Sequence, residues 1–363
     1  MRFVVKIGTN LITNDDNTLD SKFIESMVKQ IATLRAAGHE PLIVTSGAVA
    51  AGRQGLTMKK ESKHIPYRQA LASIGQTFLL DTYRDAFKPY EVTIGQVLLT
   101  MIDFEHQKNF ISTRNTLELL LAMGVVPIIN ENDVTTFNEI KFGDNDNLSA
   151  RLASLINAET LIILTDVEGL LEEDPSVNPD AKLIQVVEKM DDRIRGMGKK
   201  SGSSKGLGGM YSKVHAAEYA MEAGVEVWVA NGKTPQVVEN IVGKKSHHGT
   251  CFKRQFTPRE ARRKWLQMKK KNDASIQVDA GAVTAMKSGK SLLPSGIKAV
   301  EGDFERGDVI NIVNPENEKI GFGQVNYSSD EVKKIKGKHS TTIADHLGYS
   351  MEDEVIHQDN MVT

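Results

Sequence analysis

The sequence predicts an α/β fold in which a mainly parallel sheet is sandwiched by helices. From the amino terminus to about residue 250, short apolar runs alternate with longer segments whose apolar residues recur at helical spacing. Strands and helices that alternate in this way favour a parallel sheet with both faces covered. The composition agrees, because 40% hydrophobic and 25% charged residues are ordinary values for a globular protein.

The predicted elements of this first domain, residues 1–252, follow in chain order. The predicted strands are apolar runs bounded by turn residues, at 3–7, 41–45, 92–99, 125–129, 161–165 and 225–230. The predicted helices are amphipathic or start at capping residues, at 23–34, 66–87, 110–123 and 210–223. For the first helix we expect Asp20 as the cap and Gly38 as the end.

The pattern changes near residue 252. Residues 252–271 hold nine Lys or Arg and one Glu, so we predict a basic linker over 253–272, either solvated or a surface helix, with a nucleic-acid patch as the alternative. After it, short strands at 274–278, 297–300, 308–313 and 319–325 are separated by Gly, Pro, Asn and Asp. They predict a small, barrel-like, all-β domain at 273–363.

Charge, cysteine content and hydropathy exclude several classes of protein. The net charge of -2 gives no overall attraction to nucleic acid or to membranes, and no apolar run approaches the roughly 18 residues of a spanning helix. The single cysteine, Cys251, permits no intrachain disulfide and is expected to be a plain buried thiol. Because no secretory signal precedes the first strand, we expect a cytoplasmic protein. The pair His247-His248 has no third ligand at metal spacing, so no metal site is expected there.

Candidate binding residues follow four of the predicted strands at the point where each strand ends. They are Gly8, Ser46, the run Asn130-Glu131-Asn132-Asp133, and Asp166. Ligands of parallel sheets bind beyond the carboxyl ends of the strands. The four positions therefore predict one composite site.

Two glycine turns, each with a lysine nearby, suggest phosphate binding. Lys6 lies inside an apolar strand just before Gly8, where it must either reach solvent or meet an anion. The run Gly206-Leu207-Gly208-Gly209 opens a helix that carries Lys213 one turn further on. Neither a Walker A loop nor a dinucleotide fingerprint is present.

Asp and Asn residues lie between these two turns, in Gly143-Asp144-Asn145-Asp146-Asn147. A calcium loop is disfavoured, because the expected glycine and the final glutamate are missing. Asn145 or Asp146 is also a candidate helix N-cap, and Asp166 is a candidate for either a cap or a nucleotide contact. Together with Ser46 and Gly47 at a helix start, these residues suit a ligand that carries both an ammonium and a carboxylate.

These motifs, in this order, resemble the amino-acid kinase family over nearly the whole chain, and the tail resembles a PUA domain, a module named for RNA-modifying enzymes. The resemblance rests on the runs at 5–9, 44–53, 127–133, 143–150, 164–166 and 208–213. The runs at 44–53 and 143–150 resemble those family members that phosphorylate the side-chain carboxylate of L-glutamate. The resemblance therefore implies the first step of proline biosynthesis, in which ATP and L-glutamate give ADP and L-glutamyl 5-phosphate.

The resemblance also assigns roles to residues. The implied catalytic residues are Lys6, Asp146 and Lys213, and the implied glutamate-binding residues are Ser46, Gly47, Asp133 and Asn145. The implied ATP-binding residues are Lys6, Thr165, Asp166, Leu207, Gly208, Gly209, Met210, Tyr211, Ser212 and Lys213. The chain departs from many relatives at Leu207 and Ser212, where threonine is usual.

Cofactors and partners follow from the same resemblance. It implies Mg²⁺ that is carried by ATP, with no metal bound by the protein itself. It further implies feedback inhibition by proline, a homo-oligomer (dimer or tetramer), and docking to glutamate-5-semialdehyde dehydrogenase, which acts on the product. The carboxylate nucleophile is ionised at neutral pH, so no general base is required.

Two alternatives remain open at this stage. Other members of the family phosphorylate N-acetylglutamate, aspartate or nucleoside monophosphates. RNA binding through the basic segment and the lysines at 333, 334, 336 and 338 is a second alternative, although RNA is not expected as the main partner.

Overall fold

The computed structural model describes the chain except for residues 15, 17, 57–63, 136–144, 174–177, 201–208 and 245–247. It divides into two compact units. The first comprises Met1–Phe104 and Arg114–Pro258, and the second comprises Glu105–Thr113 and Arg259–Thr363. The predicted boundaries at 252/253 and 272/273 stay a prediction.

The first unit is built on an eight-stranded sheet. Its strands are β1 Arg2–Ile7, β2 Glu40–Val44, β3 Ile94–Leu99, β4 Val126–Glu131, β5 Thr160–Thr165, β6 Val186–Val187, β7 Glu226–Asn231 and β8 Thr250–Phe252. The strand order is β3-β4-β2-β1-β5-β7-β8-β6, and every pairing is parallel except that between β7 and β8. This confirms the predicted α/β fold with a mainly parallel sheet.

Helices connect these strands. They are α1 Thr9–Ile12, α2 Ser21–Ala36, α3 Ala48–Leu56, α4 Ile65–Phe87, α5 Ile102–Glu105, α6 Gln107–Ala122, α7 Asn145–Leu155, α8 Asp192–Lys200, α9 Met210–Glu222 and α10 Val237–Val242. Helix α2 begins as predicted, because Asp20 accepts a hydrogen bond from the backbone N–H of Phe23 at 3.0 Å. Gly38, with φ of 85°, follows its end.

The central strands are buried because their sequences are almost continuously apolar. Every residue of β5 is buried, and so is every residue of β1 after Arg2. Lys6 is therefore carried into the interior by its strand. Cys251 on β8 is also buried and free, as predicted, and burial raises the pKa of its thiol to about 12.

Helices α3 and α4 cross in direct backbone contact at two glycines. A Cβ atom on Gly52 would lie 1.9 Å from the carbonyl oxygen of Leu71, and one on Gly75 would lie 1.8 Å from that of Ala48. Only glycine permits this approach. The crossing fixes α4 against the start of α3, next to Ser46 and Gly47.

The second unit contains a five-stranded sheet. Its elements are α11 Pro258–Lys269, β9 Lys270–Val278, α12 Ala280–Lys287, β10 Ile297–Glu301, β11 Val309–Val313, β12 Lys319–Gln324, α13 Ser329–Ile335, α14 Ile343–Leu347 and β13 Met361–Val362. The strand order is β10-β9-β11-β12-β13. The basic segment forms helix α11 and the beginning of β9.

The prediction that this tail is all-β was wrong. Helix α12 is capped by Asp279, which accepts from the N–H of Ala282 at 2.8 Å. Helix α13 starts with a reciprocal capping box between Ser328 and Glu331. Asp279 and Ser328 are also residues that form turns, so in the sequence they were interpreted as strand boundaries and not as helix N-caps.

Among the helices that the structure describes, none is both long enough and apolar enough to cross a membrane.

Candidate active site

Three charged side chains meet in the interior of the first unit. Lys6 Nζ lies 2.5 Å from Asp146 Oδ1, and Lys213 Nζ lies 3.1 Å from Asp146 Oδ2. Asp146 is fully buried, and the two lysines are only 3% and 4% exposed. Of these three described side chains, two are cationic and one is anionic, so together they carry a net charge of one positive unit, which suits the binding of an anion.

Each charge is delivered by a different element. Lys6 lies at the carboxyl end of β1, Asp146 in the first turn of α7, and Lys213 in the first turns of α9. Helices α7 and α9 pack against each other, which places Asp146 opposite Lys213. The structure thus brings together the three predicted catalytic residues.

The two lysines control the ionisation of Asp146. Burial alone would raise its pKa, but the charges of Lys6 and Lys213 and the hydrogen bond from Ser212 outweigh burial and hold the pKa well below its usual range. Asp146 is therefore an anion at every pH near neutrality.

Ser212 is also a contact of Asp146. Its Oγ lies 2.7 Å from Asp146 Oδ2 and 2.8 Å from the carbonyl oxygen of Gly209. One hydroxyl has a single proton, and the carboxylate is the stronger acceptor. A residue predicted to bind ATP thus lies in contact with the central carboxylate.

We expect Ser212→Ala to lower the free energy of unfolding by about 1.5–3 kcal/mol, the usual contribution of a hydrogen bond to a charged group. Chemical denaturation measures the change. Ser212→Thr keeps the hydroxyl and serves as the matched control, with stability close to that of the unmodified chain. Equal losses in both variants would contradict a role for the hydroxyl.

A second group of polar side chains lies beside the charged cluster, around Asn145 on α7. Its Nδ2 lies 2.7 Å from the carbonyl oxygen of Thr45, 2.9 Å from Ser46 Oγ and 3.1 Å from Asn130 Oδ1. The interpretation of Asn145 or Asp146 as the N-cap does not hold. Both lie inside the first turn of α7, and their side chains bind the groups just described.

The side-chain oxygen of Asn145 is a buried acceptor without a described donor. Asn145 Oδ1 is buried and has no hydrogen-bond partner among the residues that the structure describes. A buried amide oxygen without a partner is costly in a folded protein. An ammonium group of a ligand would satisfy it.

Gly47 shapes the turn between β2 and α3. Its φ is 91°, and a Cβ there would lie 2.8 Å from Ile12 Cδ1. The turn leads directly into α3, which starts at Ala48. The first N–H groups of a helix have no partner within that helix. This arrangement favours a carboxylate.

Asp133 follows the end of β4. Burial raises the pKa of its carboxyl group, while the charge of Arg68 acts in the opposite direction. A cationic ligand would stabilise the ionised form. No described contact joins Asp133 to the Asn145 group, so its role as a substrate ligand stays a prediction.

The residues predicted to contact nucleotide lie at the end of β5 and the start of α9. Thr165 Oγ1 donates to Asp166 Oδ1 at 3.1 Å, and Asn10 Nδ2 donates to Asp166 Oδ2 at 2.9 Å. These hydrogen bonds outweigh burial and lower the pKa of Asp166. Whether Asp166 touches a nucleotide stays a prediction.

At the start of α9, Gly209 is the N-cap, Met210 is half-buried and Tyr211 is 48% exposed. The predicted ATP-binding residues Leu207 and Gly208, and the motif residues Gly143, Asp144 and Gly206, lie outside the described residues, as does His247.

One residue of the polar group, Gln76, was not predicted from the sequence. Gln76 Oε1 accepts a hydrogen bond from Asn130 Nδ2 at 2.9 Å. Gln76 lies in the middle of α4, where the helical pattern gives no sign of a site. The only local signal was the neighbouring Gly75, a glycine inside a helix.

Among the described residues, no group of three or more His, Cys, Asp or Glu could hold a metal ion.

The chain is similar to known proteins along nearly its whole length. The amino acid kinase family model matches residues 1–231, and the PUA domain model matches residues 274–347. A glutamate 5-kinase of Thermoanaerobacter sp. is 44% identical over 364 residues, which cover 100% of this chain and 97% of that protein. A glutamate 5-kinase of Sodalis glossinidius is 45% identical over 360 residues, which cover 99% of this chain and 98% of that protein.

One solved structure shows the same fold at low identity. N-acetylglutamate synthase from Neisseria gonorrhoeae, complexed with coenzyme A and N-acetyl-glutamate, has a TM-score of 0.50 at 14% identity. The match covers 70% of this chain and 60% of that one.

Proposed function

Because the chain belongs to the amino acid kinase family and matches glutamate 5-kinases over its full length, we propose that it phosphorylates L-glutamate with ATP. The products are ADP and L-glutamyl 5-phosphate, and the reaction is the first step of proline biosynthesis. The observation that carries the proposal is the buried cluster of Lys6, Asp146 and Lys213, with its net positive charge, beside the group around Asn145.

The chemistry requires charge and positioning more than proton transfer. An oxygen of the glutamate side-chain carboxylate attacks the γ-phosphorus of ATP, and the bond from that phosphorus to the bridging oxygen breaks as ADP leaves. The nucleophile is already ionised at neutral pH. The barrier is the approach of two anions, which the ammonium groups of Lys6 and Lys213 reduce. Asp146 lies between the two lysines and keeps both pointed at the transferred group.

We assign the group around Asn145 to glutamate. Asn145 Oδ1 and the Asp133 carboxylate are the acceptors for the α-ammonium group, while Ser46, Gly47 and the start of α3 supply donors for a carboxylate. Thr165, Asp166 and the residues from Gly209 to Lys213 are assigned to ATP, together with Leu207 and Gly208. Mg²⁺ enters with ATP as part of the substrate.

The test is ATP turnover with L-glutamate and Mg²⁺, trapping the acyl phosphate with hydroxylamine. Hydroxamate that forms only when the amino group of glutamate is free supports the proposal. Turnover with N-acetylglutamate, aspartate or a nucleoside monophosphate, but not with glutamate, would assign the chain to another activity of the family. Repeating the assay with added proline tests feedback inhibition.

Ser46→Ala is expected to raise the glutamate KM by roughly five- to thirty-fold, which corresponds to losing one buried hydrogen bond, with a smaller effect on kcat. Ser46 is only 8% exposed and touches Asn145, but no charged residue of the cluster. Steady-state kinetics with glutamate varied at saturating ATP measures the changes in KM and kcat separately. A fall in kcat at unchanged KM would show that Ser46 acts in phosphoryl transfer instead.

Regulation and assembly belong to the same proposal. Proline carries an ammonium and a carboxylate, so it is suited to the groups that we assign to glutamate, and inhibition should be competitive with glutamate. A dimer or tetramer is supported by large apolar side chains exposed on the first unit, among them Phe78, Leu119 and Met123. We place the protein in the cytoplasm. There the labile acyl phosphate would pass to glutamate-5-semialdehyde dehydrogenase.

A further inference from the structure

Three side-chain amides form a relay from helix α4 to the proposed glutamate site. Gln76 Oε1 accepts from Asn130 Nδ2 at 2.9 Å, and Asn130 Oδ1 accepts from Asn145 Nδ2 at 3.1 Å. Asn145 Nδ2 in turn reaches Ser46 Oγ. The relay therefore ends on two residues that we assign to glutamate binding.

Backbone groups that have only one hydrogen-bonding role help to fix the orientation of two of these amides, those of Asn130 and Asn145. The N–H of Glu131 donates to Asn130 Oδ1 at 2.9 Å, so the amide nitrogen of Asn130 must point towards Gln76. The carbonyl oxygen of Thr45 accepts from Asn145 Nδ2 at 2.7 Å, so the oxygen of Asn145 must point away from that carbonyl. The unpartnered Asn145 Oδ1 is thus a consequence of the network.

The position of Gln76 follows from the helix crossing. Gly75 lies so close to α3 that a Cβ atom would be 2.3 Å from the backbone nitrogen of Gly52. Helix α3 starts immediately after Ser46 and Gly47. The same contact that fixes the glutamate end of α3 therefore fixes the next residue of α4, Gln76, against Asn130.

We propose that Gln76 is a positioning residue for substrate recognition, which holds Asn130 and thereby keeps Asn145 Oδ1 available for the α-ammonium group of glutamate. The inference rests on the proposed function. Asn130 is only 3% exposed, so loss of the acceptor on Gln76 leaves the Asn130 amide nitrogen without that partner in a buried setting. Asn130 then shifts, and Asn145 Nδ2 loses one of the three acceptors that position it, the Asn130 oxygen at 3.1 Å.

The test is Gln76→Met, which nearly conserves the side-chain volume and removes the acceptor. We expect the glutamate KM to rise by roughly five- to thirty-fold, with kcat and the ATP KM each changed by less than about threefold. Gln76→Glu restores an acceptor oxygen and should bring the glutamate KM back towards the unmodified value. If Gln76→Met does not fold, Gln76→Asn replaces it, because the shorter side chain withdraws the acceptor by one methylene group.

Gln30 provides a matched control. It is a buried glutamine of the same unit, and its Oε1 accepts from the backbone N–H of Val238 at 3.0 Å. Gln30→Met removes a comparable hydrogen bond away from the relay, so it should lower the melting temperature and leave the glutamate KM unchanged.

The outcomes separate the two proposals. If the unmodified protein makes no hydroxamate from glutamate, the proposed function fails. If it makes hydroxamate and Gln76→Met keeps the normal glutamate KM, only the role of Gln76 is overturned. The same conclusion follows if Gln30→Met raises that KM equally, or if Gln76→Met lowers kcat alone.

Discussion

Replacing Lys6 with methionine is expected to lower kcat by about 10²- to 10³-fold, while the glutamate KM changes by only a few-fold. The reason is the charge balance of the buried cluster. Without Lys6, Asp146 still pairs with Lys213 at 3.1 Å, and the net positive charge that would meet the transferred phosphoryl group is gone. Steady-state kinetics at saturating ATP measures both constants.

Lys253→Met is the matched control for this prediction. Lys253 lies in the same unit and pairs with Glu226 at 3.1 Å, but it is 41% exposed, so its ion pair contributes little. Its kcat should stay within about twofold of the unmodified value. A rise in glutamate KM at normal kcat in Lys6→Met would assign Lys6 to substrate binding and contradict the role in phosphoryl transfer.

The composite site was predictable because its residues stand at strand ends. Gly8, Ser46 and Asp166 each follow a strand, and Asn130 lies at the carboxyl end of β4. Because β4, β2, β1 and β5 are neighbours in the sheet, the alternation of strands and helices was enough to bring these positions to one edge. The choice of Asp146 as a catalytic residue came from the family resemblance. The spacing of the chain does not reveal that α7 and α9 pack side by side.

Other contacts depended on packing between residues far apart in the chain. Gln76 reaches Asn130 only because Gly52 and Gly75 let two helices touch, which helical periodicity does not reveal. The glycine contact is visible only once the helices are placed in space.

The second unit also contains contacts between residues that are far apart in the chain. The ring of Phe110 stacks on that of Trp265 at 5.7 Å, and the guanidinium of Arg262 lies 4.3 Å from the Trp265 ring. Residues Glu105–Thr113 therefore pack within this unit, although they are far along the chain from the rest of it. Phe110 lies on α6, whereas Arg262 and Trp265 both lie on α11, and in the sequence each of the three has an ordinary surface-helix setting.

Asp146→Asn is expected to reduce kcat by at least about 10²-fold while nucleotide binding persists or tightens. The substitution keeps the shape of the side chain but leaves Lys6 and Lys213 as two buried cations without their shared counter-ion. Breaking a buried ion pair on one side costs about 3–5 kcal/mol, so the variant should also unfold more readily. An anion that binds between the lysines offsets this cost, and ATP should therefore raise the melting temperature of the variant more than that of the unmodified protein.

The effect of Asp146→Asn should not depend on pH near neutrality. Because the pKa of Asp146 lies well below its usual range, its carboxylate is fully ionised from about pH 6 to 9, and the loss in Asp146→Asn should be constant across that interval. Its contribution to stability is present above the ordinary aspartate pKa and is lost only as the pH falls through the lowered value.

Combining Lys6→Met with Asp146→Asn removes one cation from the unbalanced pair. The double variant should therefore lose less free energy of unfolding than the two single variants lose in sum. Additive losses, or loss of nucleotide binding in parallel with turnover, would show that Asp146 does not act as the shared counter-ion of the two lysines.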